Sequence, residues 1–191
     1  MRWTQDDVIA AAFATLEQEG LEGLSLRGVA RALGAHLNSV SWYVKTKASL
    51  IEKMADTIVG SVNVNDLPAD PVEQVRTIIG RYRRAMLSHR DGGRLVAGTY
   101  TSTDRTLRVA EVIVGGLLEA GYAEDEAARL CWALVYFTLG LTQEQQTTPP
   151  ATEPSTPWEA YPALAKVGKT LLAHDSFDSR FNYGVARLLH L

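Results

Sequence analysis

The sequence predicts an all-α protein, with a small N-terminal helix-turn-helix domain followed by a larger helical domain. Apolar residues recur at intervals of three and four through most of the chain, and glycines and N-capping residues separate these stretches. No run alternates apolar and polar residues in the way of a half-buried strand. Of the 191 residues, 46% are hydrophobic and 21% are charged, which excludes a chain that is disordered throughout.

The first two predicted helices have clear ends. Thr4 and Asp7 form a capping pair before an amphipathic stretch, which Gly20 and Gly23 end. Ser25 is placed to cap a short second helix, and Gly34 ends that helix. These signals predict two separate helices.

Two further helices and a linker follow. A third short helix is predicted over 37–44, and Thr46 caps a fourth. Residues 65–71 contain two prolines and two aspartates, which marks a junction between domains. A longer helix then carries a stripe of apolar side chains up to 91–93, which we interpret as a turn. The stripe is Val72, Val75, Ile79, Tyr82 and Met86.

The C-terminal half predicts more helices. Apolar periodicity indicates helices over 107–120, 124–145 and 177–189, and Pro162 suits the first turn of another. Residues 147–157 are rich in proline, threonine and serine, which predicts a loop without a core of its own.

The predicted domains are a small helical domain over 1–47, a connecting helix over 47–64 and a larger helical domain over 65–191. Charge is distributed unevenly among them. The chain has a net charge of −3, yet residues 25–47 carry four basic side chains and no acidic one. A basic stretch of this kind can bind a polyanion locally.

Residues 25–44 fit a helix-turn-helix motif. Ala30, Gly34 and Val40 supply the small residue, the tight turn and the apolar anchor that the crossing of the two helices needs. The second helix then presents short polar and aromatic side chains without acidic ones, which suits the major groove of DNA. In the alternative interpretation Trp42 and Tyr43 are only core residues of a three-helix bundle. Adjacent residues of one helix cannot both face inward, so at least one aromatic is exposed.

The stretch 8–58 resembles the N-terminal domain of the tetracycline-repressor (TetR) family. The resemblance rests on GLSLR at 23–27, VARALG at 29–34 and VSWYVKTK at 40–47. Later segments are similar to the C-terminal domain of the tetracycline-binding branch of that family. These segments are LSHRDG at 87–92, FTLG at 137–140 and RFNYG at 180–184.

The resemblance implies a homodimeric repressor that a small molecule releases from a palindromic operator in double-stranded DNA. The helices over 124–145 and 177–189 would form the dimer interface. By position in the motif, the implied DNA contacts are Ser25, Arg27, Leu37, Asn38, Ser39, Ser41, Trp42, Tyr43 and Lys47.

The resemblance also implies a ligand site in the second domain. Its matched positions are Asn63, Ile78, Tyr82, Val96, Thr99, Ile113 and Glu144. Tetracycline-binding members have a histidine at the position of Asn63, an asparagine at Ile78, a metal-binding histidine at Val96 and a glutamine at Ile113. Val96 cannot hold a magnesium ion, so the expected ligand is apolar or aromatic and free of metal.

The sequence gives little indication of a metal site or of a catalytic site. The four histidines are scattered, and Cys131 lies between apolar neighbours, so we expect no metal site, no cofactor and no catalysis. The cluster of Arg81, Arg83 and Arg84 is typical of a solvated or salt-bridged face, and a second DNA or ligand contact is the other interpretation. No signal peptide or apolar span is evident, so the expected location is the cytoplasm.

Two other functions stay open at this level. One is a DNA-binding regulator without an inducer, which would have a solid C-terminal core. The other is a small all-α enzyme with an unrecognised site. The sequence identifies neither the ligand nor the operator, and it does not separate repression from activation.

Overall fold

A computed structural model describes residues 3–99, 103–147, 160–172 (backbone only for 168–172) and 176–190. These residues form ten α-helices and no strand, so the predicted all-α fold is confirmed. The helices are α1 (Gln5–Gly23), α2 (Leu26–Leu33), α3 (Leu37–Tyr43), α4 (Lys47–Gly60), α5 (Pro71–Leu87), α6 (Gly92–Ala97), α7 (Asp104–Glu119), α8 (Glu124–Thr147), α9 (Pro162–Leu172) and α10 (Phe177–Leu188).

Helices α1, α2 and α3 pack into a small head. The capping box between Thr4 and Asp7 begins α1, and the Ser25 hydroxyl accepts a hydrogen bond from the Gly28 N–H at the start of α2. Gly34 ends α2 in the left-handed conformation. The shared core of the three helices consists of fully buried apolar side chains, namely Val8, Ala12, Leu16, Val29 and Val40.

Helix α1 does not simply end at Gly20. That residue has φ +69° and ψ 176°, a conformation that glycine adopts easily, and a short helical turn continues to Gly23. The turn between α5 and α6 contacts both sides of this kink. Arg90 donates to the carbonyl oxygens of Glu17 and Gln18, each at 3.0 Å, and the Asp91 carboxylate accepts from the Leu21 N–H at 2.8 Å.

Helix α4 connects the head to the rest of the molecule. The Thr46 and Ser49 side chains form a capping box at its start. Its body packs on α1 at one end and on α5, α6 and α7 along its length. After the linker, Asp70 caps α5, and Pro71 occupies the first turn of that helix.

The interpretation of Asp91, Gly92 and Gly93 as only a turn was wrong, because these residues introduce the short helix α6. A Cβ atom on Gly92 would lie 2.1 Å from the Met86 carbonyl oxygen, so a larger residue does not fit. The Gly93 N–H donates to the Gln146 side chain at 2.9 Å. The two glycines therefore allow α6 to pack tightly against the end of α5 and against α8.

Helices α5 to α8 form the second core, and α10 packs on α8. The arginine cluster of α5 (Arg81, Arg83 and Arg84) does not lie on one face. Arg83 is only 5% exposed, binds Asp178 and Gln145, and lies over the Phe181 ring at 4.9 Å. Arg81 instead donates to three backbone carbonyl groups of the α4–α5 linker. Arg83 thus ties α5 to α8 and α10.

The predicted loop over 147–157 falls almost wholly outside the described residues. Helix α9 begins at Pro162 as predicted, and the described side chains over 161–167 are exposed. No helix in the described ranges is both long enough and apolar enough to cross a membrane.

Candidate DNA-reading surface and ligand pocket

One face of α3 is available to a partner. Val40 is fully buried against α1 and α2, and this orients the helix. Trp42 is 81% exposed and Leu37 is 38% exposed. Asn38 is exposed beside them, while Ser39 and Ser41 are half-buried. The face carries no charged side chain and offers both apolar and hydrogen-bonding groups.

The two adjacent aromatic residues of α3 have different surroundings. Trp42 projects from the head, whereas Tyr43 is half-buried and its hydroxyl donates to the Trp3 carbonyl oxygen ahead of α1. Tyr43 therefore links the end of α3 to the N-terminal segment. The expectation that one aromatic is exposed is satisfied by Trp42.

The four basic residues of the head are not equivalent. Arg31 pairs with Glu19 at 2.8 Å, and the Lys47 ammonium donates to the carbonyl oxygens of Leu21 and Glu22 at 3.0 and 3.3 Å. Arg27 is exposed and, like Lys45, has no ion pair or hydrogen bond with the side chains and backbone that the structure describes. The free positive charge beside α3 is thus smaller than the sequence suggests.

A cavity of about 360 Å³ lies in the second domain, between α4, α5, α6, α7 and α8. Its wall is lined by Val59, Tyr82, Val96, Ala97, Thr99, Thr106, Leu107, Val109, Ala110, Ile113, Cys131, Trp132, Val135, Tyr136 and Leu139. None of these fifteen side chains is Asp, Glu, Lys, Arg or His. The cavity is therefore uncharged and mostly apolar.

Polar atoms are few in this wall. Tyr82 is only 7% exposed, and burial raises the pKa of its hydroxyl. The Thr99 hydroxyl donates to the Val96 carbonyl oxygen at 2.9 Å, which leaves its oxygen free to accept. Burial also raises the pKa of the Cys131 thiol, so this group is a weak nucleophile here.

Four of the seven sequence-predicted ligand residues, Tyr82, Val96, Thr99 and Ile113, line this cavity. The other three lie elsewhere. Asn63 is exposed, and its side-chain oxygen accepts from the Asn65 N–H at 2.8 Å.

Ile78 and Glu144 also stand apart from the cavity wall. Ile78 is fully buried among core side chains. Glu144 is exposed on α8 and lies 4.0 Å from Arg180 of α10. Neither residue reaches the cavity in this protomer.

Sequence reasoning missed most of the contribution of α8. Cys131, Trp132, Val135, Tyr136 and Leu139 all line the cavity. Trp132 and Tyr136 are exposed at its mouth, and their rings stack with centroids 5.4 Å apart. The spacing of these two aromatics by four residues was a usable signal, because such residues share one face of a helix. Across the described chain no cluster of three or more His, Cys, Asp or Glu could hold a metal ion.

A helix-turn-helix head joined to a helical domain with an apolar pocket is the architecture of a DNA-binding regulator that responds to a small molecule. The family model described as "Tetracyclin repressor-like, C-terminal domain" matches residues 66–190. The chain is 31% identical to the class E tetracycline repressor of Escherichia coli, over 98% of this chain and 90% of that protein.

Solved structures with similar folds support the same family. A possible TetR family regulator from Streptomyces coelicolor A3(2) superposes with a TM-score of 0.88 at 30% identity, covering 98% of this chain and 97% of the other. ActR of Streptomyces coelicolor in complex with (S)-DNPA gives 0.87 at 25% identity, covering 100% and 96%.

The chain belongs to the tetracycline-repressor-like family. It is a ligand-responsive, DNA-binding transcriptional regulator and not an enzyme. Regulators of this family bind operator DNA and small-molecule effectors and act as dimers.

Proposed function

We propose that residues 1–47 are a DNA-reading head and that the helix over 47–64 connects this head to a ligand-binding and dimerisation domain over 65–191. A small apolar or aromatic molecule, bound in the second domain, releases the head from a palindromic operator. The observation that carries the proposal is the pairing of an exposed, uncharged α3 face with an apolar cavity of about 360 Å³. A regulator without an inducer would have a solid core in place of this cavity.

In the DNA complex, α3 enters the major groove with Leu37, Asn38 and Trp42 toward the bases. Ser39, Ser41 and Tyr43 complete its contacts. Arg27 supplies a phosphate contact, and Ser25 does so at the start of α2. Lys47 would have to leave the carbonyl groups of Leu21 and Glu22 to bind a phosphate.

The effector occupies the cavity, with Tyr82, Val96, Thr99 and Ile113 in its wall. The complex of the relative ActR with (S)-DNPA supports a small organic effector. Because the wall has no charged or imidazole side chain, the effector binds without a metal ion or other cofactor.

Helix α6 is the proposed route between the two sites. Its C-terminal residues Val96 and Ala97 line the cavity, while the turn before it holds the α1 kink through Arg90 and Asp91. A ligand that displaces Val96 and Ala97 would therefore act directly on the orientation of the head.

Helices α8 and α10 are the proposed dimer interface. Phe181 and Val185 are buried within the protomer, so the surface offered to a second copy consists of exposed residues such as Tyr183. Light scattering at micromolar concentration should give about twice 20.9 kDa. A monomer would contradict this assembly.

We also place the protein in the cytoplasm with its DNA target. Selection of operators from a random duplex library tests the central proposal. Enrichment of a near-palindromic site is expected, since a twofold dimer presents two copies of α3. Aromatic compounds are then screened for release of the selected duplex. If no sequence is enriched above random DNA, the reading function of α3 is wrong.

A further inference from the structure

The cavity wall offers a ligand one strong side-chain hydrogen-bond donor away from its mouth, the hydroxyl of Tyr82. The Tyr82 hydroxyl has no hydrogen-bond partner in the described part of the chain, although the residue is more than nine-tenths buried and lines the cavity. The Thr99 hydroxyl has already given its hydrogen to the Val96 carbonyl oxygen, and Thr106 is engaged as well. The Cys131 thiol is only a weak donor.

The direction of the Tyr82 hydrogen bond follows from its surroundings. The lining side chains contain no strong buried donor that could give Tyr82 a hydrogen bond, so the phenol stays protonated and donates. Trp132 and Tyr136 also have donors, but these residues are exposed at the mouth, where solvent can reach them. Among the described residues, no acceptor lies within hydrogen-bond distance of the Tyr82 hydroxyl.

The wall also discriminates by charge. Arg81 and Arg83 sit on either side of Tyr82 in the sequence, yet Arg81 binds linker carbonyl groups and Arg83 binds Asp178 and Gln145. Neither lines the cavity, so no counter-ion meets a charged ligand there. Burying an unpaired charge is far more costly than burying a paired polar atom.

We propose that the cavity selects uncharged, planar carbonyl compounds whose oxygen accepts the hydrogen bond of Tyr82, and that it rejects compounds carrying a carboxylate. This inference rests on the proposed function and refines the ligand class of the same pocket. The carbonyl oxygen satisfies the buried donor, and the ring system packs against the aliphatic wall between Val96 and Ile113.

Three matched probes test the inference: 9-fluorenone, fluorene without the oxygen, and 9-fluorenone-4-carboxylate. Their affinities for the full-length protein are measured by calorimetry at one pH and one salt concentration. We expect fluorenone to bind about tenfold more tightly than fluorene, as one buried hydrogen bond predicts. The carboxylate should bind at least about tenfold more weakly than fluorenone.

Two variants locate the effect. Tyr82→Phe keeps the ring and removes the donor, so fluorenone should fall to the affinity of fluorene while fluorene itself is unchanged. Tyr161→Phe is the control, because Tyr161 is exposed and does not line the cavity, and it should keep the preference for fluorenone. Circular dichroism confirms that each variant is folded.

The outcomes separate the two proposals. Equal binding of fluorene and fluorenone, or a preference that survives Tyr82→Phe, overturns the donor assignment and leaves the apolar pocket intact. Tightest binding by the carboxylate overturns the charge selection. If no probe binds while the protein still recognises its operator, the apolar effector site itself is wrong, and this inference fails with it.

Discussion

The reading face of α3 and the wall of the cavity in the second domain differ in exposure and in nearby charge. The face on α3 is exposed, and the free cations Arg27 and Lys45 lie in the same head. The cavity lies between five helices, opens to solvent at one mouth, and has no charged residue among its described lining side chains. DNA binding thus depends on salt and on surface side chains, whereas effector binding depends on burial and on very few polar atoms.

The difference shows how one small chain can serve two ligands without interference. No residue of the cavity wall belongs to α1, α2 or α3, so the two sites share no side chain. They share only the elements that join them, α4 and α6 together with the turn that holds the α1 kink. Substitutions in one site should leave the other intact, and substitutions in the connection should affect both.

The largest expected effect concerns tetracycline with magnesium. Two positions of the cavity wall differ from tetracycline-binding members: Ile113 stands where they have a glutamine, and Val96 stands in place of the metal-binding histidine. Two lost interactions at roughly 2 kcal/mol each lower the affinity about 10³-fold relative to a matched site. Calorimetry with and without a chelator measures this. Submicromolar binding that the chelator abolishes would contradict the apolar character of the pocket.

The substitution Gly92→Ala tests the start of α6, which joins the cavity to the head. Its Cβ would lie 2.1 Å from the Met86 carbonyl oxygen, so the start of α6 must move. We expect the free energy of unfolding to fall by about 3 kcal/mol. Gly115→Ala in α7 is the control, because no atom lies within 4 Å of its added Cβ, and it should raise stability by about 0.5–1 kcal/mol. Equal urea midpoints for both variants would show that the close packing at Gly92 is absent.

The sequence predicted the head better than the pocket for a physical reason. Caps and turns are local, so Thr4, Ser25, Gly34 and Thr46 could be read directly, and the structure has each of them at a helix end. The pocket is made by five helices that meet only in the folded chain. Helix α6 escaped notice because glycine at its start usually signals a turn, and here it signals close packing.

The long-range partners of individual side chains could not be predicted from the sequence either. Nothing local indicates that Arg83 is buried against Asp178, which lies 95 residues further along the chain. The same is true of Lys47, which contacts the end of α1, and of Tyr43, which contacts the Trp3 carbonyl group. Charge counts over 25–47 therefore overstated the free basic charge of the head.

Substitution of Trp42 by alanine tests the reading face. Trp42 is largely exposed and contacts no ring within the described residues, so its removal should leave the fold unchanged. Operator binding should weaken by about 1–3 kcal/mol, while fluorenone binding is unaltered. Tyr43→Phe is the comparison, since it keeps the ring and removes only the hydroxyl, which donates to the Trp3 carbonyl oxygen in the free protein. Fluorescence anisotropy with the selected duplex decides this, and wild-type affinity of Trp42→Ala would show that α3 does not lie in the groove.

The arginines of α2 provide a smaller and sharper test. Arg27 is unpaired and should contact a phosphate, so Arg27→Ala should weaken all duplexes alike by about 1 kcal/mol. The slope of log affinity against log salt should fall by about one. Arg31 pairs with Glu19, and Arg31→Ala should change that slope much less. Equal slopes for the two variants would mean that the pairing with Glu19 does not persist on DNA.

The smallest expected effects are those of Asn63→Ala and Glu144→Ala. The family resemblance assigns both positions to the ligand site, yet neither side chain lies in the cavity wall of this protomer. Asn63 is exposed and holds the linker backbone at Asn65, and Glu144 faces Arg180. Calorimetry with fluorenone should therefore give affinities within about twofold of the wild type, since no ligand hydrogen bond is lost. A tenfold loss in the Glu144 variant would mean that the effector site extends along α8, and Glu144 would then count as part of the pocket.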